Sequence, residues 1–183
     1  ENHDFYEGLA IALEGASQFM LRYATLARVM AVTSESSAEL LEIARVCEKL
    51  AVQPPETYRE AVQASWFLYV ILQMESNASS FSPGRMDQYL YPFYVRDIER
   101  GTLLLEDALE ITECLFLKFN QIVYLRSSSS AKYFAGFPIG FNVAIGGQDE
   151  RGGSAENELT FLFLRAQEHL LLPQPNLSAR VFE

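Results

Sequence analysis

The chain has 183 residues, 49% of them apolar and 13% aromatic, and a net charge of -10. That length can bury one sizeable core and is short for two domains. The acidic balance speaks against nucleic acid and anionic membrane as partners. Apolar runs such as residues 66–72 fall far below the ~20 residues of a membrane span. The start, Glu-Asn-His-Asp, has neither a leader pattern nor an initiator Met; the chain is read as an internal piece of a longer cytoplasmic protein. Cys47 and Cys114 fall in helical patterns, which suits a reducing setting and gives no disulfide framework. His3 and His169 are too few for a histidine-built zinc or haem site.

Residues 4–32 read as one long helix. Its stripe is Leu9, Leu13, Phe19, Met20, Tyr23, Ala24, Ala27 and Met30. Ser36 with Glu39 predicts a capping box and a second helix to about Ala51. Pro54-Pro55 ends that run. Thr57 with Glu60 predicts another box and a third helix to about Glu75; it is apolar all round over residues 66–72 except at Tyr69, so it is expected to be the most buried helix. Pro92 suits the first turn of a fourth helix and Gly101 its C-terminal cap, with Arg96, Asp97, Glu99 and Arg100 on an exposed face. A fifth helix is predicted over 106–125, with Glu106 and Asp107 at its positive end. Residues 126–132 read as a serine loop. Residues 137–147 read as a buried strand with Gly140 inside it. A sixth helix follows over 155–171, and a second strand over 176–182.

Residues 76–94, SNASSFSPGRMDQYLYPFY, stand out from this pattern. Small hydroxylated residues precede a Pro83-Gly84 turn. Arg85, Asp87 and Gln88 follow at once, able to pair or to satisfy backbone groups around the turn. Tyr89, Tyr91, Phe93 and Tyr94 then pack the segment against protein. A polar turn in an aromatic wall is either a structural corner or a site.

Other motifs carry less. There is no GxxxxGK[ST] loop, no GxGxxG and no GxSxG elbow. Gly146-Gly147 and Gly152-Gly153 read as turns. Cys47, mid-helix and without a base, reads as inert core, and Cys114 is likewise read as helical and largely buried. His169 near a helix end reads as a dipole partner. Glu75 is either a buried, perturbed carboxylate or one bonded to nearby backbone N–H groups.

The spaced residues resemble a known family. They are Arg22-Tyr23-Ala24-xxx-Ala27, Glu42-Ile43-Ala44-xx-Cys47, Pro55-xxx-Tyr58-xx-Ala61-Val62-Gln63, Gly84-Arg85-x-Asp87-Gln88-Tyr89-Leu90-Tyr91-Pro92, Asn142-xxx-Gly146-Gly147 and Leu172-Pro173-Gln174-Pro175-Asn176-Leu177-Ser178-x-Arg180. The chain resembles the glycyl radical enzymes, the pyruvate formate-lyase and diol dehydratase group, along essentially its whole length. The resemblance implies an α-rich α/β fold: a helical part over residues 4–125 and a strand-containing part over 134–183. Together these would form a single segment of a domain whose core is a ten-stranded α/β barrel.

It further implies a lyase or dehydratase acting on a small organic substrate, in a homodimer. A radical-SAM activase installs the glycyl radical, and no cofactor is bound. The catalytic cysteine and the radical glycine lie outside this chain, which is expected to do no chemistry alone. Aligned on Glu75-Ser76-Asn77, a substrate-binding His-Ser pair becomes Ser79-Ser80. Ser80 matches and Ser79 departs, which speaks against a glycerol-type diol reaction. Phe137 in Gly136-Phe137-Pro138 matches an aromatic that faces substrate. Glu75, Arg85 and Asp87 are expected as structural supports of the site. The competing expectation is a non-catalytic helical interaction module.

Overall fold

The computed structural model describes residues 2–76, 81–122, 127–134 and 140–181. Their contacts group into two compact units, Glu1–Glu56 and Thr57–Glu183.

The first unit is a helical hairpin of α1 (Asn2–Ala31) and α2 (Ser37–Leu50). Small residues line the contact: Ala24, Ala27 and Ala31 of α1, with Ala44, Val46, Cys47 and Leu50 of α2. Alanines let two helices approach closely at little side-chain entropy cost. The predicted stripe of α1 is only partly buried: Leu9, Leu13, Tyr23 and Met30 are exposed. At ~1.5 Å per residue, the 14 residues of α2 are too short to cover the 30 of α1. The predicted capping box at Ser36 is also absent, because Ser36 makes no side-chain cap bond. The Arg28 guanidinium instead ties the helices, donating from Nε and Nη2 to the two Glu48 oxygens at 2.7 Å each. That hydrogen bond holds the Glu48 carboxyl below the usual carboxylate range.

The cysteines differ from one another. Cys47 is 1% exposed, and burial, then Glu48, push its thiol up to about 11. Cys114, expected to be buried, is exposed. At pH 8 roughly one Cys47 thiol in a thousand is ionised. Iodoacetamide at that pH is expected to label Cys114 and leave Cys47 intact, as read by peptide mass. Equal labelling would contradict this packing.

The second unit is built on aromatic residues. Its helices are α3 (Tyr58–Ser76), α4 (Met86–Tyr89), α5 (Tyr91–Glu99), α6 (Leu105–Phe119), α7 (Ser128–Phe134) and α8 (Glu158–Leu170). Tyr58, Phe116, Phe119, Phe141 and Phe163 are fully buried. Edge-on ring pairs join Tyr69 to Phe119 at 5.1 Å, Phe119 to Phe141 at 5.0 Å and Phe116 to Phe163 at 5.7 Å. Each such pair adds about 0.5–1.5 kcal/mol beyond area burial.

Local sequence explains the helix ends. The Thr57–Glu60 box is present: Glu60 N donates to Thr57 Oγ1, and Thr57 N to Glu60 Oε2. α3, expected to be the most buried helix, is not: Tyr58, Glu60, Ala61, Val62, Phe67 and Tyr69 are buried, but Leu68 and Met74 are exposed, and the shorter α6 buries as many side chains. Asp97, expected on an exposed face, is buried and accepts the Tyr58 N–H at 2.7 Å. It therefore caps α3 from α5. Asp97→Ala is expected to cost about 1–2 kcal/mol, read as a lower urea midpoint. An unchanged midpoint would remove this cap from the picture.

α5 ends as predicted around Gly101, at φ +68. Gly101 N donates to Ile98 O and Thr102 N to Asp97 O, a Schellman pair. α6 stops at Phe119, short of the predicted 125. The Asn120 side chain caps it by donating to Phe116 O. The predicted serine loop holds a short helix, α7, because Ser127 Oγ accepts the Ser130 N–H in a capping bond.

The strands β1 (Asn142–Gly146) and β2 (Asn176–Arg180) pair in parallel, Asn142 opposite Asn176 and Gly146 opposite Arg180. α8 is the crossover that a parallel pair requires. Gly140 lies before β1 and not within it. Val143 and Ile145 point into the core and are fully buried. The opposite face carries Asn142, Asn176, Ser178 and Arg180, all exposed.

Candidate functional site

The stretch singled out in sequence is where the polar bonds of the second unit converge. Pro83-Gly84 does not make the predicted turn: Gly84, at φ +83, forms a parallel bridge with Val143. Leading into it, the chain runs beside β1: Ser82 Oγ accepts the Asn142 N–H, and Gly84 O accepts the Ala144 N–H at 3.2 Å. The segment around Gly84 thus gives β1 a short parallel partner on the edge away from β2.

Arg85 and Asp87 do not pair with each other. They take the two sides of one residue. Asp87 Oδ2 accepts the Gly146 N–H at 2.7 Å, and Arg85 Nη2 donates to Gly146 O at 2.6 Å. Arg85 Nη1 also donates to Gln148 O at 3.0 Å. Asp87 is 0% exposed, and its Oδ2 takes a second donor, the Thr160 hydroxyl, at 2.7 Å. A buried carboxylate with two charge-assisted bonds fixes both donors firmly.

The start of α8 completes the clasp. Asn157 caps α8 in a box with Thr160, and its Nδ2 donates to Asp87 O. Gln88 Nε2 donates to Ala155 O at 2.8 Å. Tyr91 Oη donates to Glu158 Oε2 at 2.6 Å, a bond that pushes the Tyr91 hydroxyl up to about 12. Sequence reading missed Asn157 and Thr160, because threonine at the third helical position is not the Glu or Gln that marks a capping box.

Gly146 and Gly147 are needed where they stand. Gly146 has φ +66, and a Cβ there would lie 2.8 Å from Arg180 O. Gly147, at φ +90, would press its Cβ on the Arg180 side chain at 3.3 Å. Gly147 N donates to Arg180 O, which closes the end of the strand pair.

The remaining expectations divide. Ser79, Ser80 and Phe137 lie outside the described residues. Glu75, read as either a buried carboxylate or one bonded to nearby backbone N–H groups, is exposed in the last turn of α3, which rules out the buried alternative. His169 bonds Glu113 of α6 at 2.8 Å, so it joins two helices besides sitting at a helix end. Among the described residues, His3, Asp4 and Glu7 form a group of potential metal ligands, all exposed near the start of α1. No described helix is long and apolar enough to cross a membrane.

A pyruvate formate lyase-like family model matches residues 1–183. The chain belongs to that family, the family of the glycyl radical enzymes. Over 183 residues it is 43% identical to the probable dehydratase YbiW of Escherichia coli, covering 96% of this chain and 23% of that protein. It is 37% identical to an isethionate sulfite-lyase of Oleidesulfovibrio alaskensis, covering 99% of this chain and 22% of that one. Among solved structures, one described by 1,2-propanediol dehydration in Roseburia inulinivorans superposes with a TM-score of 0.85 at 42% identity, covering 91% of this chain and 21% of that one. A glycyl radical enzyme from Archaeoglobus fulgidus gives 0.84 at 40%, covering 92% and 22%. This member of the family thus spans less than a quarter of the length of these relatives. In this chain, the stretch Gly84-Arg85-Met86-Asp87-Gln88 is the clasp on β1.

Proposed function

We propose that this chain is the substrate-pocket side of a glycyl radical lyase or dehydratase that cleaves a C–C, C–O or related bond of a small organic molecule. One observation carries the reading. Arg85, Asp87 and Gln88, in one of the stretches that carry the family resemblance, are the residues that hold β1 and the approach to α8. In this reading β1 and β2 are strands of a ten-stranded barrel, and their polar face looks inward. Ser79, Ser80 and Phe137 line the pocket, and the clasp supports it. A glycyl radical, installed elsewhere in the parent protein by a radical-SAM activase, would generate on a cysteine outside this chain the thiyl radical that abstracts hydrogen from the substrate. The parent is cytoplasmic and homodimeric. This chain binds and positions, and does no chemistry by itself.

The test is anaerobic turnover by the activated full-length protein. The panel is 1,2-propanediol, glycerol, isethionate and trans-4-hydroxy-L-proline, substrate classes named for relatives. Elimination from any one supports the reading. A protein that carries the radical and converts none of these classes contradicts it.

A further inference from the structure

The geometry points to Gln174 as a binding residue for a substrate oxygen, an inference that rests on the reading above and adds a ligand contact to it. Gln174 is 3% exposed. Its backbone carbonyl accepts the Asn120 Nδ2–H at 2.5 Å, which ties it to the end of α6. Its side-chain Oε1 accepts the Phe141 N–H at 3.3 Å. Phe141 O in turn accepts the Asn176 N–H. Gln174 therefore sits where β1 and β2 both begin, beside the exposed pair Asn142 and Asn176.

These bonds set the orientation of the amide. A backbone N–H demands an oxygen, so Oε1 must face Phe141 and Nε2 must face away. Nε2 is buried and has no hydrogen-bond partner. A buried donor left unpaired is costly. Rotating the amide would leave Phe141 N–H unpaired instead, so rotation relieves nothing. A fixed, dry donor next to a polar strand mouth is arranged to receive an acceptor from outside the segment. The acceptor class is a hydroxyl, carboxylate or sulfonate oxygen of a small molecule. Asp87 also has a bare oxygen, but that side chain lies within the clasp that binds β1.

The experiment is a crystal structure of the full-length protein grown with 1,2-propanediol. We expect Gln174 Nε2 to face a ligand oxygen or a solvent-filled cavity. A protein oxygen in hydrogen-bond contact with Nε2 overturns the inference. This outcome does not depend on radical chemistry, so it can fail while the functional reading stands. Gln174→Glu gives a second measurement on whichever panel compound turns over. As a carboxylate it keeps an oxygen for Phe141 and removes the donor, so KM should rise about tenfold, together with some loss of melting temperature from the buried charge. An unchanged KM with a lowered melting temperature would make Gln174 purely structural.

Discussion

Gly146→Ala is expected to destabilise the full-length protein by about 3–5 kcal/mol. The left-handed backbone at φ +66 accounts for about 1–2 kcal/mol of that. The rest comes from the Arg180 carbonyl, which a Cβ would meet at 2.8 Å. That oxygen belongs to backbone and already accepts the Gly147 N–H, so it cannot swing aside. The β1–β2 register must slip or the strands must part. Gly152→Ala is the control. It too sits at positive φ, +80, but nothing lies within 4 Å of its Cβ position. It should lose only about 1–2 kcal/mol. Equal losses at the two glycines would mean that the close approach to Arg180 costs nothing.

Asp87→Ala should cost about 3–5 kcal/mol. The substitution leaves the Gly146 N–H without its acceptor and the buried Thr160 hydroxyl without its own. Each orphaned group costs about 1–3 kcal/mol. Asp87→Asn retains one oxygen, so it should lose less than half as much. Thr160→Val removes the donor to Asp87 and also the acceptor of the Asn157 N–H in the α8 capping box, and should cost about 1–3 kcal/mol. The clasp view also requires that Asp87→Ala and Gly146→Ala be less than additive in a double variant, because both loosen the same strand end. Full additivity would separate the two residues.

Much of this was legible in sequence, for identifiable reasons. Thr57 with Glu60 and Pro92 with Gly101 carry their own local chemistry, so the boxes and caps they predict are present. The turn read at Pro83-Gly84 gives way to a bridge with Val143, which local chemistry does not encode. The special status of Arg85 and Asp87 could be read because polar residues set against an aromatic wall must be satisfied by something. Their partner, Gly146, could not be read, since the contact closes a long loop that no local pattern encodes. Asp97 was misread as surface for the same reason: its acceptor role depends on where α5 meets the start of α3. Ser36 shows the converse, a good capping pattern that the backbone there does not use. The stripe read for α1 is right at Ala24 and Ala27, which are buried, and fails at Leu9 and Leu13, which the short α2 does not cover. Gln174 was visible as part of a motif, but its locked amide depends on Phe141 and Asn120.

The most direct test of the whole account is electron paramagnetic resonance after anaerobic incubation with a cognate radical-SAM activase and S-adenosylmethionine. The full-length protein should show a glycyl radical doublet. The 183-residue chain, treated identically, should stay silent. Its described glycines lie in helix α1 or at turns and strand ends, and Cys47 is buried with its thiol protonated. A doublet arising on the 183-residue chain, or none on the full-length protein, would contradict the account.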